Sequence, residues 1–143
     1  MQSKTILTWA ALLGALAVGL GAFGAHGLRQ VADPDAIRIF ETAVRYHFYH
    51  VFALLALGII SQLFPAQRSS WTWASRLFVA GIFIFSGSLY LLTAAKVTGA
   101  GMGWLGAITP IGGLGLIGGW LMLAKGIKGA SNPMSQPSGN SKV

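Results

Sequence analysis

Four stretches of the chain, residues 5–25, 46–64, 77–95 and 104–124, contain no Asp, Glu, Lys or Arg. Each approaches the roughly 20 residues that an α-helix needs to cross about 30 Å of hydrocarbon. Helices at the surface of a soluble domain keep a charged face toward water, so these stretches predict an all-α integral membrane four-helix bundle. Composition agrees: 54% of the 143 residues are hydrophobic and 9% are charged, against roughly 25% charged in ordinary soluble domains. The first stretch, TILTWAALLGALAVGLGAFGA, is longer than the apolar part of a cleaved signal peptide and reads as a crossing.

The basic residues predict an orientation. Lys4, Arg68, Arg76, Lys125, Lys128 and Lys142 fall on one side of a four-span chain, and Arg29, Arg38, Arg45 and Lys96 on the other. The excess of Lys and Arg marks the cytoplasmic side, so both termini are expected there, in what reads as a bacterial plasma (inner) membrane. Residues 1–128 then form the transmembrane domain, and residues 129–143 (GASNPMSQPSGNSKV) have the bias of a disordered tail.

Loop signals complete the outline. Residues 65–76 (PAQRSSWTWASR) are expected as a tight connection with Trp71 and Trp73 in the interfacial aromatic belt. Asp33 before Pro34 reads as an N-cap with Pro at the first helical position, so the second helix is expected to begin near residue 34. Unbroken to residue 64, it would measure about 46 Å and project beyond the hydrocarbon.

Several function classes are excluded or left without support. The chain has no Cys, which removes thiol nucleophiles, disulfides and Cys-ligated metals. Its net charge of +7 is spread between apolar blocks rather than gathered into the basic patch that nucleic acid requires. HFYH places two His at i,i+3, yet the HExxH and paired Glu-x-x-His patterns of metal sites are absent. No cofactor motif and no catalytic constellation are legible.

Small residues suggest how the spans pack. Ala11, Ala15 and Gly19, and again Ala17, Gly21 and Ala25, recur every four residues in the first span; Gly115 and Gly119 form a GxxxG pair in the fourth. Such surfaces let helix backbones approach closely in lipid, either within one chain or in a homo-oligomer or with another membrane protein. Ser86, Ser88, Thr93 and Thr109 can return their hydroxyls to helix carbonyls, and Pro110 predicts a kink in the fourth span.

The polar residues concentrate at one place. ETAVRYHFYH at 41–50 sets a Glu, an Arg, two Tyr and two His at a hydrophobic boundary. Arg38, Glu41 and Arg45 share a helical stripe continued by Phe48 and Phe52, which predicts an ion pair within the helix. Tyr46, His47 and His50 occupy the opposite half, with His50 about 8 Å deeper than Arg45. Four-span topology brings His26, at the end of the first helix, and Lys96, after the third, to the same side. A cluster of His26, Glu41, Arg45, Tyr46, His47 and His50 near the noncytoplasmic surface is therefore the expected functional site, since ionisable groups at such depth are costly. It predicts a noncatalytic protein that binds a lipid, a small molecule or a membrane partner. The alternatives are a small-solute or proton transporter using His50 and Glu41, and a structural assembly subunit.

GAFGAHGL at 21–28, TAVRYHFYHVFALLAL at 42–57, FSGSLYLL at 85–92, and TPIGG with GGW at 109–113 and 118–120 together resemble a small four-span membrane family. That family includes the bacterial inner-membrane protein YgdD and a vertebrate transmembrane relative. The resemblance covers residues 9–124 in the same order and implies four transmembrane helices without an established biochemical function. Its pattern carries over to His26 and His50, whereas the position of His47 accepts another polar residue such as Gln.

Overall fold

The computed structural model describes residues 1–130, and the expected tail lies, from residue 131 onward, outside the described residues. Five α-helices follow one another: α1 (Ser3–His26), α2 (Pro34–Leu63), α3 (Arg68–Gly81), α4 (Gly87–Thr98) and α5 (Leu105–Gly129). A π-helical turn, Ile82–Ser86, joins α3 and α4 into one rod. Four rods long and apolar enough to cross a membrane result, the architecture expected from the charge-free stretches.

Local chemistry explains the ends of α2. The Asp33 carboxylate accepts the backbone N–H groups of Asp35 and Ala36, each at 2.8 Å, and Pro34 fills the first helical position, where a missing N–H costs nothing. Its 30 residues span about 45 Å, some 15 Å more than the hydrocarbon. At the end of α4, Gly99 adopts φ +73°. This left-handed residue lets the N–H of Ala100 reach the Ala95 carbonyl at 2.9 Å, closing the helix in the manner of a Schellman turn.

The connection expected at 65–76 is mostly helix: only Phe64 and the turn Pro65–Gln67 separate α2 from α3. Within RSSWTWASRLF, Trp71, Ala74, Ser75 and Phe78 are all buried and recur at i, i+3, i+4 and i+7, the helical period. The expected belt position of Trp71 is corrected accordingly. Its side chain is 2% exposed, its indole N–H donates to the Phe64 carbonyl at 2.8 Å, and its ring occupies the space that a Cβ on Gly126 would enter. Trp73 is exposed, with the Arg76 guanidinium 5.7 Å from its ring centre.

Helix α1 packs chiefly on α2, and α3 chiefly on α5. Ile6, Leu13, Leu54, Leu57, Trp71, Phe78 and Leu116 fill the space between these pairs. The glycines of α5 sit against the third rod: a Cβ on Gly115 would lie 3.7 Å from the Cα of Gly81, one on Gly119 would lie 2.6 Å from the Phe78 ring, and one on Gly112 would strike the backbone of Phe85 in the π turn. On α1, Gly21 approaches Val44, whereas Gly19 is exposed with open space around it. Helix α5 is continuous through Pro110; the proline sits in its second turn and leaves a single carbonyl, that of Gly106, without its i+4 donor.

Candidate functional site

Helix α2 presents its polar residues in three directions. Toward α5, the His50 ring is hydrogen-bonded at both nitrogens: Nδ1 lies 2.7 Å from the Tyr46 carbonyl, and Trp120 Nε1 lies 3.2 Å from Nε2. An indole N–H only donates, so Nε2 accepts and the proton sits on Nδ1, where it is donated to Tyr46. The geometry thus assigns a neutral imidazole with a single tautomer. The Tyr46 ring stacks on His50 and lies 4.7 Å from that of Phe85. Beside this assembly is a groove of about 540 Å³, walled by Tyr46, Tyr49, His50, Phe85, Gly113, Leu116, Ile117 and Trp120.

Toward α1 and α4, His47 is 2% exposed, and its Nδ1 lies 3.3 Å from the Tyr90 hydroxyl. Its Nε2 has no hydrogen-bond partner among the described residues. The ring lines a cavity of about 70 Å³ shared with Leu13, Leu16, Leu20, Ile82, Phe83, Gly87 and Tyr90, enough room for a water of roughly 30 Å³. The buried Ser86 hydroxyl in the π turn is likewise unpartnered. Its neighbour Ser88 shares a 2.8 Å hydrogen bond with Thr109 of α5.

The charged residues form the third group. Asp35 is paired with both Lys96 and Arg38, tying the end of α4 to the start of α2. Both Asp35 and Lys96 lie beyond the charge-free stretches 46–64 and 77–95 and stand in water at the membrane edge. Lys96, then Arg38, holds the Asp35 carboxyl below its ordinary range, and Asp35 in turn raises the Lys96 ammonium. Glu41 pairs with Arg29, from the turn after α1, at 3.1 Å. Arg45 is exposed and has no carboxylate partner among the described residues.

The ion pair expected along Arg38, Glu41 and Arg45 is therefore corrected. Asp35 lies one turn before Arg38 and competes for it, while the α1–α2 hairpin delivers Arg29 to Glu41. Phe48 and Phe52 do stack, with ring centres 6.0 Å apart. The six residues expected as one cluster are distributed as follows: Tyr46 and His50 together on the α5 side, His47 in the interior, and Glu41 with Arg45 along the α1 side. His26 is exposed, and its Nδ1 meets the Ala22 carbonyl at 3.1 Å. Lys96 belongs to the Asp35 pair.

A family model described as "Protein of unknown function (DUF423)" matches residues 20–113. The chain belongs to this family. It is 42% identical over 123 residues to a UPF0382 membrane protein of Staphylococcus saprophyticus, covering 86% of this chain and 96% of the relative. The UPF0382 membrane protein YwdK of Bacillus subtilis is 39% identical over 120 residues, covering 84% and 93%. A UPF0382 membrane protein of Schizosaccharomyces pombe is 39% identical over 117 residues, covering 81% and 95%. No solved structure matches. With its four apolar rods, this DUF423 chain is an integral membrane protein.

Two residues of the site were not singled out from the sequence: Trp120, which donates to His50, and Tyr90, which meets His47. Both stand in the blocks that carry the family resemblance, GGW and FSGSLYLL. The available signal was an indole or phenol inside an apolar span, since a buried Tyr or Trp seeks a hydrogen-bond partner.

Proposed function

We propose that this DUF423 protein is a noncatalytic binding module of a bacterial plasma membrane, holding a lipid or another small apolar molecule in the groove beside His50. The observation that carries this reading is the groove itself: about 540 Å³ of largely aromatic and aliphatic wall, with Tyr46, Tyr49, His50 and Trp120 as its polar elements. Ligand sites have this character, an apolar surface with a few fixed polar groups. The transport alternative places His50 and Glu41 on one path. They instead face different helices and hold separate partners, which favours binding.

Orientation is part of the proposal. The six-to-four division of Lys and Arg places both termini in the cytoplasm and the Asp35–Lys96 pair on the other side. Reporter fusions after Lys128 and within residues 29–38 test it; a cytoplasmic reporter at 29–38 reverses the assignment.

Native mass spectrometry of gently extracted protein tests the groove. At least one retained lipid or small molecule is expected in the unmodified protein. Gly113→Leu, which fills the groove, is expected to retain one molecule fewer than wild type while the protein still melts cooperatively. A folded Gly113→Leu protein that retains as many molecules as wild type would refute the reading, and so would a wild-type protein that retains none.

A further inference from the structure

Opposite the His50 groove, α1, the turn after it and α2 flank a second, open pocket of about 260 Å³ lined by Arg29, Glu41 and Arg45 together with Gly21, Gly24 and Phe40. Two guanidiniums face one carboxylate, so the pocket carries a net positive charge. Glu41 is engaged by Arg29, which leaves the Arg45 fork available. Arg presents a planar set of donors suited to phosphate oxygens. We propose that this pocket holds the phosphodiester headgroup of one anionic phospholipid.

Depth supports a lipid phosphate rather than a free one. Counting about 20 residues of hydrocarbon back from Leu63, the end of α2, places the membrane boundary near Val44. Arg45 therefore stands in the first turn of the membrane, where its stem lies against apolar surface and its head reaches the phosphate layer. The floor is closely packed and apolar, with Val44 against Gly21 and the Phe40 ring filling the space a Cβ on Gly24 would take, its Cε1 at 2.7 Å from that position, so the polar rim of Arg29, Glu41 and Arg45 is what meets a headgroup. Arg45 and His50 are separated by roughly 140° around the helix at 3.6 residues per turn, so the two sites are separate and this one does not rest on the first.

The test uses native mass spectrometry of the full chain in detergent with phosphatidylglycerol or phosphatidylcholine of matched chains. Wild-type protein is expected to retain one phosphatidylglycerol at several-fold higher occupancy than phosphatidylcholine. Arg45→Gln is expected to remove the preference. Glu41→Gln is expected to raise it, because Arg29 is then released to the headgroup; a purely structural ion pair would not give that gain. Equal occupancy of the two lipids in wild-type protein would overturn the site, as would a preference left unchanged by both substitutions. Inorganic phosphate at millimolar concentration is expected to leave the bound lipid in place, and its displacement of the lipid would instead identify a free-anion site. Gly113→Leu is expected to keep the preference, which separates failure here from failure of the groove.

Discussion

The Trp120 indole donates to Nε2 of His50 across 3.2 Å, fastening α5 to α2 through residues seventy positions apart. Because the other ring nitrogen is committed to the Tyr46 carbonyl, His50 acts as a fixed hydrogen-bonding wall of the groove. Trp120→Phe removes the donor and leaves Nε2 without its partner. The expected loss is about 0.5–1.5 kcal/mol, the usual range for such a bond. Thermal or denaturant unfolding in detergent measures it. His50→Phe combined with Trp120→Phe removes both partners and is expected to cost less than the sum of the single changes; strict additivity would mean that the bond contributes nothing.

The glycines divide by what surrounds them. Gly112→Ala drives a methyl into the backbone of Phe85, and Gly126→Ala drives one into the buried Trp71 ring. Neither obstacle is the movable end of a flexible side chain, so each substitution is expected to destabilise by about 1–3 kcal/mol. Gly19→Ala meets open space and is expected to leave stability unchanged or slightly improved through helix propensity. The same unfolding assay ranks all three. The positions are also separable by function: Gly112 seats the π turn that carries Phe85 to the groove, so Gly112→Ala should reduce ligand retention as well as stability.

Asp35 sets the pH window at the outer edge of the bundle. Its carboxyl is held below the ordinary value of 3.8 by Lys96 and Arg38. A depressed carboxyl contributes stability that is fully present above that ordinary value and is lost as pH falls through the lower folded-state value. Lys96 is raised above 10.5 by Asp35, so its contribution is complete below 10.5 and is lost as pH rises through the higher folded-state value. The pair's own contribution to melting temperature, read as the difference between wild type and Asp35→Asn, should therefore be constant from about pH 5 to 10 and decline at each end. Asp35→Asn is expected to lower melting temperature slightly within that range and flatten its decline at both ends, most visibly at low salt, because the pair is exposed and screened. Melts of the variant that decline as steeply as wild type at both ends would contradict this assignment.

Much of the fold was legible because lipid imposes a simple demand: a span must be long, helical and free of charge. The Asp33–Pro34 start signal was equally local and appears in the structure as a capped N-terminus. Residues 68–76 were harder. Arg68, Ser69, Ser70, Ser75 and Arg76 read as a polar loop by composition, and only the spacing of Trp71, Ala74, Ser75 and Phe78 carries the helix. The π turn leaves no mark that composition or spacing would have isolated. The division of the polar residues was out of reach for a different reason. Helical periodicity separates Arg45 from His50, but it cannot say that Arg29 will arrive from another element to take Glu41, or that Trp120 will arrive to fix His50.

The Arg29–Glu41 pair offers the sharpest comparison between reading by periodicity and reading by packing. Along α2, Arg45 is the obvious partner for Glu41, one turn away on the same stripe. The hairpin instead supplies Arg29 at 3.1 Å. The two side chains are 60% and 47% exposed, so water and salt weaken the attraction, and the coupling expected from a double-mutant cycle with Arg29→Gln and Glu41→Gln is about 0.2–1 kcal/mol. The parallel cycle with Arg45→Gln and Glu41→Gln is expected to give a coupling near zero. The first cycle should also shrink as ionic strength rises. If the coupling appears with Arg45 and vanishes with Arg29, Glu41 belongs to its own helix after all, and Arg29 rather than Arg45 is the free guanidinium of the pocket between α1 and α2.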